Sequence, residues 1–168
     1  MGDFDARAFH EALDVKRQAR GLTWAGLAAE LNAPYSHRAD IPPISPSTLS
    51  GMSKRGGLNG NIVMTALRWL GRSAEDFVLD GPAVDNVSIP DAGPGHLLRW
   101  NGPALYAQLD ARRSELGLTW AGLAKQLGVG VSVLRGYANS SAAGFPWVMR
   151  ATGWLERPAA AFMVEVQV

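Results

Sequence analysis

Cysteine is absent from the 168 residues, which excludes disulfides, thiol nucleophiles and any cysteine-containing zinc site. Histidine is scarce: His10, His37 and His96 are scattered with no partner at ligand or catalytic spacing, so no metal and no cofactor is expected. Charged residues make up 18% of the chain, too few for a coiled coil. No apolar run approaches the ~18–20 residues of a membrane span, and no charged, apolar, small-residue succession marks a signal peptide. The expectation is a soluble, cytoplasmic protein without a membrane partner. A hydrophobic content of 47% and a mean hydropathy of −0.02 leave ample material for a core. At ~150 residues per domain, the length suits one ordinary domain or two very small ones.

Charge of one sign is missing locally. The formal net charge is +1, yet residues 41–74 hold Lys54, Arg55, Arg68 and Arg72 and no acid, and residues 116–155 hold Lys125, Arg135 and Arg150 and no acid. The stretch between them is predominantly acidic, so a near-neutral total conceals two acid-free segments.

These segments fall on equivalent parts of an internal repeat. Gly21-Leu22-Thr23-Trp24-Ala25-Gly26-Leu27-Ala28 recurs unchanged as Gly117-Leu118-Thr119-Trp120-Ala121-Gly122-Leu123-Ala124, an offset of 96. The same offset pairs Phe4 with Trp100, Leu13-Asp14 with Leu109-Asp110, and Arg17 with Arg113. Downstream the offset becomes 85, matching Ser47, Leu49 and Gly51 to Ser132, Leu134 and Gly136, Met64 to Met149, Trp69-Leu70 to Trp154-Leu155, and Phe77 to Phe162. The first copy therefore carries an insertion of 11 residues between Leu31 and Ser47.

Each copy reads as five short helices. Asp5 and Asn101 are N-cap candidates, preceded by Phe4 and Trp100, which can staple to Phe9 and Leu105. Gly21 and Gly117 stop the first helix near Arg20 and Leu116, and Thr23 and Thr119 cap the second, whose Trp24, Leu27, Ala28 and Leu31 recur at helical spacing. A third helix opens at Ser45-Pro46 and is expected to run to Gly56-Gly57. A fourth covers 62–70, and a fifth begins near Ser73 or Arg157 with Phe77 or Phe162 facing inward. Trp24, Trp69, Trp120 and Trp154 lie on repeated apolar stripes, whereas Trp100 and Trp147 are candidates for partial exposure.

The run from Arg17 to Ala28, then Ser45-Pro46-Ser47-Thr48-Leu49-Ser50, then Trp69-Leu70-Gly71 and Glu75-Asp76-Phe77, resembles the Cro and lambda-repressor (XRE) family of helix-turn-helix proteins. The likeness covers 4–79 and, more weakly, 100–163. It implies an all-α fold of two tandem five-helix bundles: a first helix-turn-helix domain at 1–79 with a loop insertion at 32–44, a linker at 80–99, and a more degenerate second domain at 100–168. It also implies that Thr23 caps a positioning helix and that the helix from Pro46 is the recognition helix. Two departures stand out. The insertion occupies what is usually a tight turn, and Trp24 and Trp120 stand where a polar phosphate contact is common.

On this reading Ser45, Ser47, Thr48 and Ser50 are candidate base contacts, with Lys54 and Arg55 on phosphates, while Leu49 and Met52 face the core. The hydroxyls also read as helix caps, with the acid-free stretch 41–74 favouring DNA contacts. Thr23, Trp24, Thr119, Lys125, Ser132 and Arg135 complete the candidate DNA-binding set. The second copy's face, Val131, Ser132, Val133 and Arg135, suits an interaction domain as well as a DNA reader. In the proline-rich insertion, His37 and Arg38 are candidates for a phosphate strand, against a tolerated surface loop. The linker is rich in glycine, proline and aspartate, and its Val84, Val87 and Ile89, with the alternating Val164-Glu165-Val166-Gln167-Val168, raise a minor two-stranded pairing of linker and C-terminal tail.

Nothing frames catalysis: no carboxylate pair, no Ser-His-Asp arrangement and no phosphate-cradling glycine loop followed by lysine. The expectation is a non-enzymatic, sequence-specific double-stranded DNA-binding transcriptional regulator, a repressor acting as a single-chain pseudo-dimer. The rival is a protein-interaction module, an antitoxin or regulator partner, binding itself or another regulator through residues 100–168.

Overall fold

The computed structural model describes residues 2–168 apart from Asn86 and Ala92, two positions of the linker that lie outside the described residues. The chain is mostly helical, with two small two-stranded sheets among the described residues.

Helix starts follow the side chains able to satisfy free backbone N–H groups. In the first copy α1 spans Ala6–Ala19, with Asp5 accepting from the Ala8 N–H at 2.9 Å. α2 spans Trp24–Asn32 under a Thr23 cap, and α3 spans Pro46–Ser50 under a Ser45 cap. A 3-10 turn at Met52–Lys54 and a short strand β1 at Leu58–Asn59 lead into α4 at Gly60–Leu70, and a second 3-10 turn covers Ala74–Phe77. In the second copy a strand β2 at His96–Trp100 precedes α5 at Gly102–Glu115, α6 at Trp120–Leu127 and α7 at Val131–Gly136. A 3-10 turn at Tyr137–Asn139, β3 at Gly144–Phe145, α8 at Trp147–Trp154, a further 3-10 turn at Ala159–Phe162 and β4 at Met163–Gln167 complete the chain. Gly21 and Gly117 close α1 and α5 at φ of 65° and 67°, a conformation that costs glycine little.

Three boundaries differ from expectation. α3 stops at Ser50 because Ser47, Thr48, Ser50 and Gly51 are weak helix formers, and only a 3-10 turn continues it. α4 starts at Gly60 because the Asn59 side chain accepts from the Asn61 and Ile62 N–H groups. The expected fifth helix is a 3-10 turn in both copies.

The copies meet at a short strand pair with a local pseudo-two-fold axis. β1 and β3 are antiparallel, with Leu58 opposite Phe145 and Asn59 opposite Gly144. Asn59 and Gly144 are equivalent at the offset of 85, so this pair lies on the axis, as in an isologous dimer interface. Asn61 fastens the junction, donating to the Ser141 carbonyl at 3.2 Å and accepting from the Trp100 N–H at 3.2 Å. Beside the axis, Phe145 is fully buried, its ring 4.8 Å from Phe4 and 6.1 Å from Trp100, themselves equivalent residues of the two copies. The position equivalent to Phe145 is Gly60, where a Cβ would come within 2.1 Å of the Ala143 carbonyl oxygen and 2.7 Å of Trp100 Nε1. One large ring and one glycine thus share a junction that a symmetric pair could not pack in this way. The buried apolar residues of both copies form one continuous cluster.

Trp100 was expected to be partly exposed and is instead 1% exposed. The cause is the pairing of linker and tail: β2 and β4 run antiparallel from His96 opposite Gln167 to Trp100 opposite Met163, closing this side of the core. In the first copy the equivalent pairing shrinks to a single bridge between Phe4 and Val78.

Candidate nucleic-acid interface

The repeated tryptophans belong to a packing device. Trp24 is half-buried, stacked on His10 at 5.2 Å and covered by the Arg17 guanidinium at 4.5 Å. Arg17 also holds Asp14 at 2.6 Å and the Leu22 carbonyl at 2.6 Å, tying α1 to the turn that launches α2. Trp120 repeats this between Tyr106, at 4.8 Å, and Arg113. The side chains that recur at the α1–α2 corner hold that corner together, and Trp24 makes its contacts inside the fold. Thr23 and Thr119 are exposed caps, accepting from the Gly26 and Gly122 N–H groups at 3.0 Å.

In α3, Ser45, Ser47 and Thr48 come together. Ser45 Oγ accepts from the Thr48 N–H at 3.1 Å and lies 2.8 Å from Thr48 Oγ1 and 3.1 Å from Ser47 Oγ. Ser45 is therefore occupied as a cap. Ser47 is exposed, Thr48 and Ser50 are partly exposed, and Leu49 and Met52 are buried. In α7, Ser132 and Arg135 are exposed on one face at i and i+3, but the N-cap is Gly130, with no side-chain cap.

Ion pairing divides the basic residues into two groups. Arg20 pairs with Glu30, Arg72 with Asp76 and Arg150 with Asp3. The Arg150 hydrogen bond holds the Asp3 carboxyl below its ordinary range. Arg38, expected to be available for a phosphate, is bound to Asp40 at 2.6 Å, two residues along the same loop. That hydrogen bond holds the Asp40 carboxyl below its usual range, so the Arg38 charge is already balanced. His37 is exposed. Lys54, Arg55, Lys125 and Arg135 are exposed and have no carboxylate within ion-pairing distance among the described residues. Lys54, Arg55 and Arg135 lie in or beside the short helices that the sequence proposes as readers, and Lys125 lies on the helix before the second of them.

The insertion is more ordered than a tolerated loop requires. Asn32 clamps its far end, donating to the Ile44 carbonyl and accepting from the Ile44 N–H, both at 2.9 Å, while the buried Tyr35 hydroxyl bonds Asn32 at 2.8 Å. The Pro34 carbonyl accepts from the Gly95 N–H at 3.0 Å, docking the insertion on the linker. Sequence reasoning passed over Arg68 and Arg99, which line the cavity formed there. Arg68 lies in the acid-free stretch 41–74, which was the one hint, whereas Arg99 lies in the predominantly acidic stretch and carried no signal.

The chain matches no protein-family model, no curated protein and no solved structure. No helix among the described residues is long and apolar enough to cross a membrane.

Proposed function

We propose that the chain is a sequence-specific double-stranded DNA-binding transcriptional regulator, a non-enzymatic repressor in which two helix-turn-helix units of the XRE type act as a single-chain pseudo-dimer. The observation that carries this reading is the set of exposed cations that have no ion-pair partner among the described residues at and next to the equivalent third helices: Lys54 and Arg55 after α3, Arg135 on α7, and Lys125 on α6, the helix before it. Cations without internal partners suit phosphate contacts, and the exposed Ser47, with Thr48 and Ser50, supplies hydroxyls for base edges. A pseudo-two-fold relation between the units matches the way paired readers address two half-sites about one helical turn apart, ~34 Å. Since α3 and α7 differ in sequence, the half-sites should differ and the operator should be asymmetric.

The test is selection of bound genomic fragments, followed by stoichiometry, footprint and affinity at two salt concentrations. One chain protecting an asymmetric stretch of about two half-sites, with affinity falling steeply with salt, supports the reading. A palindromic site filled by two chains overturns the single-chain arrangement, and salt-independent or absent binding overturns DNA recognition. A second reading has its own observation: Val133 on α7 is 38% exposed where the first copy has Thr48. An apolar outward position favours a protein partner, itself or another regulator, at residues 100–168.

A further inference from the structure

A cavity of about 290 Å³ lies where the insertion, the start of β2 and α4 converge. The insertion has no counterpart in the second copy, so this cavity arises from the part of the fold that departs from the repeat. One wall is apolar, made by Ile41, Pro42, Pro43 and Ile44. Arg68 from α4 and Arg99 from β2 also line the space, and among the described residues no aspartate or glutamate does.

Neither arginine has a carboxylate within ion-pairing distance among the described residues. Among the described residues, Arg68 Nη1 is buried with no hydrogen-bond partner, and Arg99 Nη1 donates to the Leu98 carbonyl. Both guanidinium groups lie close enough to the buried Tyr35 to act on its phenol, whose pKa burial raises and their charges oppose. A buried cationic N–H without an acceptor is costly. Two arginines lining one space bring to it guanidinium groups, whose fork of donors matches carboxylate and phosphate oxygens. The volume is at the small end of ligand pockets, which limits the guest to a compact molecule.

We propose that this cavity binds a small organic oxyanion, a phosphate monoester or a carboxylate on a compact apolar body, held between Arg68 and Arg99 with its body against the Ile41–Ile44 wall. The charged end meets the donors and the apolar end meets isoleucine and proline, so each part of such a guest has a matching surface.

The full chain is titrated without DNA, so the outcome is independent of whether the protein reads DNA. The probes are phenyl phosphate, benzoate, inorganic phosphate and the neutral benzyl alcohol, followed by amide chemical shifts and calorimetry. Saturable binding of phenyl phosphate or benzoate, with shifts centred on Tyr35, Thr65 and Leu98, is expected, and whichever of the two binds tighter identifies the anion. Arg68→Met and Arg99→Met should each weaken it about tenfold or more, as loss of a charge-assisted hydrogen bond does. Lys54→Ala with Arg55→Ala should leave it unchanged. If Arg68→Met fails to fold, Arg99→Met on the partly exposed strand decides. The proposal is overturned by non-saturable binding, by equal affinity in the arginine variants, by loss of binding in the Lys54/Arg55 variant, or by inorganic phosphate or benzyl alcohol binding as tightly as the aromatic anions.

Discussion

Replacing Phe145 by alanine tests whether the two copies stand or fall together. The ring is fully buried between Phe4 and Trp100, and its backbone pairs with Leu58 across the pseudo-axis. Truncating a buried phenylalanine costs about 3–5 kcal/mol, because the lost transfer energy is joined by the cavity left behind. In a chain of this length each kcal/mol lowers Tm by roughly 2–4 °C, so a fall of ~6–20 °C is expected. The assay is thermal unfolding followed at individual amides: Leu13 and Leu27 report on the first copy, Leu109 and Leu123 on the second, and all four are fully buried. Since Phe145 touches both copies, all four should lose structure at one lowered midpoint. Retention of the wild-type midpoint at Leu13 and Leu27, while Leu109 and Leu123 melt early, would refute the shared core.

Three further outcomes are expected. Lys54→Ala with Arg55→Ala should flatten the salt dependence of DNA affinity by about two counterions, so that a fourfold rise in salt costs the variant about tenfold less affinity than the wild type, measured by fluorescence anisotropy; an unchanged slope would remove these residues from the interface. Ser47→Ala with Thr48→Val should alter which selected sequences are bound, by roughly 1–3 kcal/mol of discrimination at the contacted positions, more than it alters general DNA affinity; an identical preference would mean these hydroxyls serve only the helix start. Glu75 accepts from the Ala159 N–H at 2.6 Å, yet burial raises its carboxyl above the ordinary glutamate range. The folded state therefore keeps this proton longer than the unfolded chain does, and its stability falls as pH rises from the ordinary glutamate pKa through the raised one. Glu75→Gln keeps an acceptor without the charge, so its Tm should exceed that of the wild type at pH 7, with the advantage shrinking towards pH 4; a gap independent of pH would contradict this.

The elements whose cause is local were legible in the sequence. Asp5, Thr23, Ser45, Asn101 and Thr119 cap helices as their side chains dictate, because a cap needs only an oxygen within three residues of a free N–H. The Phe4–Phe9 staple, with rings 5.6 Å apart, and the glycine stops are equally short-range. The repeat and its insertion are properties of the string itself. The alternation of the C-terminal tail marked it as a strand, but its partner is His96–Trp100 rather than the Val84, Val87 and Ile89 to which the sequence pointed, and Val164 and Val166 face solvent. Partnership across long separations left no such trace. That Trp100 is sealed in by the tail and that Arg68 and Arg99 line one cavity depend on how distant segments dock. Most of all, the Asn59–Gly144 pair on the pseudo-axis and the exchange of Gly60 for Phe145 beside it were decided by tertiary structure. Caps and turns are short-range choices of a few backbone groups, whereas burial and charge balance depend on which distant surfaces exclude water from one another, and only the folded chain brings those surfaces together.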